Sequence, residues 1–209
     1  MSIFRAIEGR RSIRRFKSDP VPKSDIEKMV YAASMAPSGG NLQPWHFLAV
    51  TNPECRDSMV SIVHDEGVAF FSTMYEKVPP RFILPSLVFS TAPLVFAVLT
   101  ARSLLEEDGC FCTFLKNNRI EDRYTDLYGG FVNVQSASAA VENLLLAAYD
   151  LGYGSCWIRV PYYARERLEK FLKVEPLWDL LALVPVGVPD QSPSPPPRKP
   201  VKEILTYID

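Results

Sequence analysis

The sequence predicts a mixed α+β fold in which one central sheet is flanked by helices. Two observations carry that expectation: short apolar runs bounded by proline and asparagine alternate with stretches of helical period, and no unit repeats along the chain. A third bounds the architecture. With 209 residues the chain lies within what one core sustains, since cores divide only beyond about 250 residues, so residues 1–209 are expected to form a single domain.

Taken in order, Ser2 is placed to cap a short first helix with Ile3, Phe4 and Ile7 on one face, and Gly9 ends it. Ser24 with Glu27 forms a capping-box pattern, and Ile26, Met29, Val30 and Ala33 follow at helical spacing until Pro37 forbids continuation. Trp45 to Val50 reads as a buried strand. Asn52 as N-cap and Pro53 at the first helical position then open a helix through His64. From Glu66 to Thr91 the pattern weakens, before Leu94 to Leu99 returns as a strand.

Residues 101 to 130 lack a clean period despite Phe111, Phe114, Tyr124 and Tyr128, and such irregular stretches often wall a substrate site. The strongest helix runs from Val132 to Leu151, with Val134, Ala137, Val141, Leu144, Leu145 and Ala148 on one stripe and small residues round its circumference. That composition suits burial on several sides, as at the centre of a dimer. Ser155 to Val160 reads as a strand, Ala164 to Leu172 as a helix and Leu180 to Val186 as the last core strand. Residues 189–209 form a proline-rich arm, stiff and extended, with apolar Val201, Ile204 and Leu205 near its end.

Composition narrows the function. A net charge of −1 leaves no electrostatic footprint for nucleic acid or an anionic membrane. No apolar run approaches the roughly 18 residues of a membrane helix, and the N-terminus lacks a signal-peptide pattern, so a cytoplasmic protein is expected. Cys55, Cys110, Cys112 and Cys156 have no C-x-x-C spacing, and only His46 and His64 accompany them, so no metal site is expected. Cys156 has no evident basic partner in the sequence and reads as a packed thiol.

Two segments stand out. Arg10-Arg11-Ser12-Ile13-Arg14 gathers guanidinium forks and a hydroxyl just past a helix end, a donor set suited to phosphate. Pro37-Ser38-Gly39-Gly40-Asn41-Leu42-Gln43-Pro44-Trp45-His46-Phe47 holds a glycine pair that lets backbone approach a flat ligand closely. Trp45 and His46 are expected to be packed rather than catalytic.

These segments, with Asn143 to Ala148 leading into Gly152-Tyr153-Gly154-Ser155-Cys156-Trp157, and Gly187-Val188-Pro189 followed by Arg198-Lys199-Pro200, resemble the FMN-dependent nitroreductase family. Residues 66 to 130 match poorly. The resemblance implies a nitroreductase-like sheet, antiparallel or mixed, and a homodimer that exchanges its C-terminal arms. It implies FMN held by Arg10, Ser12 and Arg198 at the phosphate, with Arg11 carried in the same cluster. Arg14 would lie by the N1 and O2 edge of the ring, where a fixed cation favours the reduced flavin. Pro37, Ser38, Gly39, Asn41 and Gln43 would reach the flavin from the partner chain, Gln43 either touching the ring or bracing the loop. The backbone of Ser155, Cys156 and Trp157 would lie near N5, so no side-chain catalyst is required.

The implied activity is hydride transfer from NADH or NADPH to a nitroaromatic, quinone or similar electrophile, with ping-pong kinetics. No Gly-x-Gly-x-x-Gly fingerprint is present, so the nicotinamide would bind by stacking alone. Reductive dehalogenation and flavin-ring fragmentation belong to the same scaffold, and an FMN storage or sensing protein without turnover is the alternative from another class.

Overall fold

The computed structural model describes residues 3–102, 117 and 131–208. Its centre is a sheet of β1 (Trp45–Val50), β2 (Leu94–Ala101), β3 (Gly154–Ser155), β4 (Ile158–Arg159) and β5 (Trp178–Gly187), ordered β1-β2-β5-β3 with β4 also on β5. All four strand pairs are antiparallel, which resolves the antiparallel-or-mixed expectation. Among the described residues a parallel pairing occurs only at the isolated bridge between Ser12 and Ser155.

Helices cover both faces. On one lie α1 (Ile3–Gly9), α2 (Lys23–Ser34) and α4 (Phe131–Asp150); on the other lie α3 (Pro53–Ser72) and α5 (Arg165–Phe171). The alternation of β2 divides accordingly: Leu94, Phe96 and Val98 pack with Met29, Ala137, Ala140 and Leu144, whereas Val95, Ala97 and Leu99 pack with Met59, Val63 and Leu168. A strand covered on both sides reads as a continuous apolar run, and burying each large side chain contributes about 1.5–3 kcal/mol.

Several boundaries move from their sequence expectations. The helix opened by Asn52 runs two turns past His64 to Ser72, because Val68, Phe70 and Phe71 pack where the sequence pattern had weakened. Its cap is as expected: Asn52 Oδ1 accepts from the N–H groups of Glu54 at 2.7 Å and Cys55 at 3.2 Å. The capping box at Ser24 does not form. Helix α2 starts at Lys23 with Pro22 as its N-cap, so Ser24 is already inside the first turn. The Ser2 cap lies outside the described residues, and the apolar Ile3, Phe4 and Ile7 are exposed while Ala6 is the buried residue of α1.

The strand expected over 155–160 is split into β3 and β4, and Pro185 explains the split. The register pairs Ser155 with Val186 and Ile158 with Leu183, which sets Cys156 opposite Pro185. Cys156 N–H donates to Pro185 O at 3.3 Å, and the reciprocal bond is missing because proline has no N–H.

Tyr153 Oη donates to Asp25 Oδ2 at 2.8 Å, tying α2 to the turn after α4. Lys28 and this hydroxyl hold the Asp25 carboxyl below its usual range, while burial and the same bond push the Tyr153 phenol up. Asp25 therefore stabilises the fold above the ordinary carboxylate pKa and loses that contribution as pH falls through its lowered value.

Asn52→Ala is expected to cost about 1 kcal/mol of folding free energy. In urea denaturation the midpoint should fall with the slope unchanged, since the surface exposed on unfolding is the same.

Candidate functional site

The chain after α1 runs extended beside β3, joined to it by the isolated bridge between Ser12 and Ser155. Ile13 N–H donates to Ser155 O at 2.9 Å, and Lys17 N–H to Val188 O at 2.9 Å. Gly154 permits this contact: a Cβ there would lie 2.6 Å from Ile13 Cγ1 and 2.8 Å from Ile13 Cβ. At Gly9 a Cβ would fall 2.1 Å from Tyr149 Oη, the mobile tip of a side chain that would have to shift.

The proline arm folds back over this segment within the same chain. Asp190 N–H donates to Arg15 O at 3.0 Å, and Phe16 bridges Pro189. The result is a cleft of about 280 Å³ bordered by Arg10, Arg11, Ser12, Arg14 and Arg198, with no carboxylate in its lining. Among the described residues Arg14 and Arg198 make only long bonds to nearby carbonyls, Arg14 Nη1 to Ser12 O at 3.5 Å and Arg198 Nη1 to Pro197 O at 3.4 Å. Their remaining donors are open to an anion. Asp19, the carboxylate placed nearest Arg14 in sequence, forms no ion pair with it.

Arg10 is partly neutralised. Its Nε lies 3.3 Å from Glu142 Oε1, yet that atom is buried without an aligned hydrogen bond, so the contact is one of charge rather than of donor and acceptor. Arg11 is otherwise engaged: its Nη1 donates to Glu8 O at 2.6 Å and Arg10 O at 2.7 Å, closing the C-terminal end of α1. The open guanidinium donors of Arg14 and Arg198, with Arg10 beside them, fit a phosphate monoester, and each charge-assisted bond is worth about 1.5–3 kcal/mol.

Cys156 is 4% exposed in the core beneath this segment. Burial pushes its thiol up, while Arg14, a hydrogen bond with Ser12, and Arg10 act in the opposite direction. The sequence had shown no basic partner for it; the fold supplies two, and burial still prevails. At neutral pH the group is a thiol, not a nucleophilic thiolate.

The loop at residues 37–43 is shaped by its own contacts. Gly40 has φ of 57°, and Asn41 and Gln43 also occupy the left-handed region at 56° and 49°. Ser38 Oγ accepts from Gln43 N–H at 3.0 Å, and Gln43 Nε2 donates to Asn41 Oδ1 at 3.3 Å, so Gln43 braces the loop. Two non-glycine residues in that conformation mark strain that local hydrogen bonds must hold. Trp45 is buried as expected, but His46 is exposed and meets the Trp178 ring at 5.6 Å.

The loop and the arginine cleft stand at diagonal corners of the sheet. The loop enters β1 at Trp45, which pairs with Thr100 and through it with Asp179 at the start of β5. Ser155, beside the cleft, pairs with Val186 at the end of β5. Strand geometry separates the corners by about 23 Å along β5 and about 14 Å across it. One chain does not bring the two halves together. Cys110, Cys112 and the expected specificity region at 101–130 fall, apart from residues 101, 102 and 117, outside the described residues.

Residues 7–188 match the model of the nitroreductase family. The chain belongs to that family. A relative in Methanothermobacter thermautotrophicus, named "Putative NADH dehydrogenase/NAD(P)H nitroreductase", is 28% identical over 92% of this chain and 80% of its own. A BluB-like flavoprotein from Clostridium difficile 630 superposes with a TM-score of 0.84 at 30% identity over the whole of both chains. The nitroreductase fold is also that of an iodotyrosine deiodinase solved with FMN and 3-iodo-L-tyrosine, which has a TM-score of 0.73 at 23% identity over the whole of both chains. Among the described residues of this nitroreductase-family chain, no helix is long and apolar enough to cross a membrane.

Gly154→Ala is expected to destabilise the fold by about 1–3 kcal/mol through overpacking against Ile13. Combined with Ile13→Ala, it should cost less than the sum of the two changes, which a urea double-mutant cycle reads directly.

Proposed function

We propose that the chain is an FMN-dependent NAD(P)H oxidoreductase of nitroreductase type, a single FMN-binding domain working as a homodimer on a small electrophilic acceptor. The observation that carries this reading is the carboxylate-free cleft of Arg10, Ser12, Arg14 and Arg198 at the edge of a nitroreductase fold. FMN is the cofactor this donor set fits. When bound, it supplies two-electron chemistry, taking a hydride from NADH or NADPH and delivering it to the acceptor.

In this reading Arg10, Ser12 and Arg198 hold the phosphate, and Arg14 favours the reduced ring by its charge. Arg11 serves the end of α1. The backbone from Ser155 through Cys156 to Trp157 lies along the ring, and the buried Cys156 thiol stays a packing group. The loop of Pro37, Ser38, Gly39, Asn41 and Gln43 belongs to the site of the other chain, because its own cleft lies a full sheet diagonal away.

Two apolar surfaces support the dimer. Ile3, Ala6, Tyr31, Met35, Leu146 and Ala147 border an open groove of about 450 Å³ on α1, α2 and α4. Near the end of the arm Val201, Ile204, Tyr207 and Ile208 are exposed, Ile208 at 95%. Contiguous exposed apolar surface of this kind marks an interface.

A dehalogenating activity on the same scaffold is the second reading, favoured by the likeness to an iodotyrosine deiodinase. Both readings require nicotinamide or another donor to reduce the flavin.

Anaerobic mixing of the FMN-loaded protein with NADH and with NADPH is expected to bleach the flavin absorbance with at least one donor. A flavin that stays oxidised with both would leave storage or sensing as the function.

Mixing two inactive variants tests the shared site. Arg10→Ala/Ser12→Ala, lacking the clamp, and Asn41→Ala/Gln43→Ala, lacking the braced loop, are each expected to bind FMN weakly. Refolded together they should recover tight FMN binding in mixed dimers, and no recovery would place both halves in one chain's site.

A further inference from the structure

Strand alternation sets a row of side chains along the flavin edge that the flavin reading leaves without a role. Ser155 pairs with Val186 and Arg159 with Ala182, both on the sheet face covered by α4. Ile158 pairs with Leu183 on the opposite face, in the core of α3 and α5. Period-two alternation therefore turns Ser155, Trp157 and Arg159 to one side and Cys156 and Ile158 to the other. Trp157 is 38% exposed and Arg159 is exposed as well.

Arg159 forms no ion pair or hydrogen bond among the described residues. Its neighbours in chain and across the sheet, Ile158, Val160 and Ala182, carry no charge. About 13 Å of strand separates it from Ser155, the residue beside the phosphate cleft. A phosphate held at Ser12 is too far away to be its partner.

We infer that Arg159 recognises an anionic oxygen group on the molecule that reacts at the flavin, with Trp157 as the flat wall beside it. A guanidinium fork is suited to a carboxylate or phosphate approached edge-on, and an indole beside it to a conjugated ring. The preferred substrate is then a planar electrophile or a nicotinamide bearing a negative group, in place of a neutral quinone or nitroarene. This inference rests on the flavin reading, which puts the ring along Ser155 to Trp157.

The test uses the FMN-loaded protein and non-reacting probes. Benzoate and its neutral counterpart benzamide are titrated against the oxidised flavin spectrum in wild type, Arg159→Gln and Arg159→Lys. Arg159→Gln is expected to weaken benzoate about tenfold and leave benzamide unchanged, since one charge-assisted contact is lost. Arg159→Lys should recover part of the affinity, keeping the charge without the fork. Rapid mixing with NADH and NADPH reads the other source of an anion. A loss confined to the donors assigns Arg159 to the dinucleotide phosphates, and a loss confined to benzoate assigns it to the acceptor.

A benzoate-to-benzamide preference and donor saturation that both ignore Arg159 would overturn the inference. So would an equal loss for benzamide with a shifted flavin midpoint potential, which would make Arg159 a group acting on the ring. A wild-type protein that takes up no FMN would instead overturn the flavin reading, and this inference with it.

Discussion

Strand β5 is the constraint from which the site follows. It is bonded to β2 along one edge and to β3 and β4 along the other, so its register sets the position of every other strand. Leu180, Ala182, Leu183, Val184 and Val186 are fully buried between the two helical layers. Because side chains alternate with period two, a slip of one residue would exchange both cores and turn Ser155 away from the arginine segment. The interruption at Pro185 sits at the point where that outer edge changes from β3 to β4, leaving the backbone there with unfilled ladder positions.

The outer edge of β5 does more than close the sheet. Its partner β3 and the residues just past Gly187 receive the segment after α1 through the bridges Ser12–Ser155 and Phe16–Pro189, and the arm beyond Pro189 then lies against that segment. Three stretches far apart in sequence thus meet at one corner, bringing Arg10, Arg14 and Arg198 around a single cleft. Their mutual repulsion is offset in part by Glu142 of α4, which reaches Arg10 by charge. An electropositive hollow without its own carboxylate is costly in isolation and favourable once an anion fills it. Such a corner is expected to be tighter with its ligand than without.

The same arrangement separates catalytic power from nucleophilic side chains. Cys156 has arginines within electrostatic reach, yet its burial keeps the proton on sulfur. The corner therefore offers charge, backbone and shape, and leaves electron chemistry to a bound group. In the proposed reading specificity falls to groups such as Trp157 and Arg159, both exposed on the strand that follows.

Much of this was legible in residue order. The strands at Trp45, Leu94 and Leu180, the Asn52 cap and the long helix before Gly152 follow from local period and end signals, which are properties of neighbouring residues. The clustering of donors at Arg10, Ser12 and Arg14 was equally visible, because donor type and spacing are written in the chain. Local sequence placed the helix cap at Ser24, ended α3 early and read one strand across 155–160; Pro22, aromatic packing and the missing Pro185 N–H decided otherwise. The charges around Cys156, the commitment of Arg11 to the end of α1, the bracing of the loop by Gln43 and the diagonal between loop and cleft depend on contacts between distant residues. Only the packed sheet determines these, since sequence specifies which groups a strand presents and tertiary register specifies what they face.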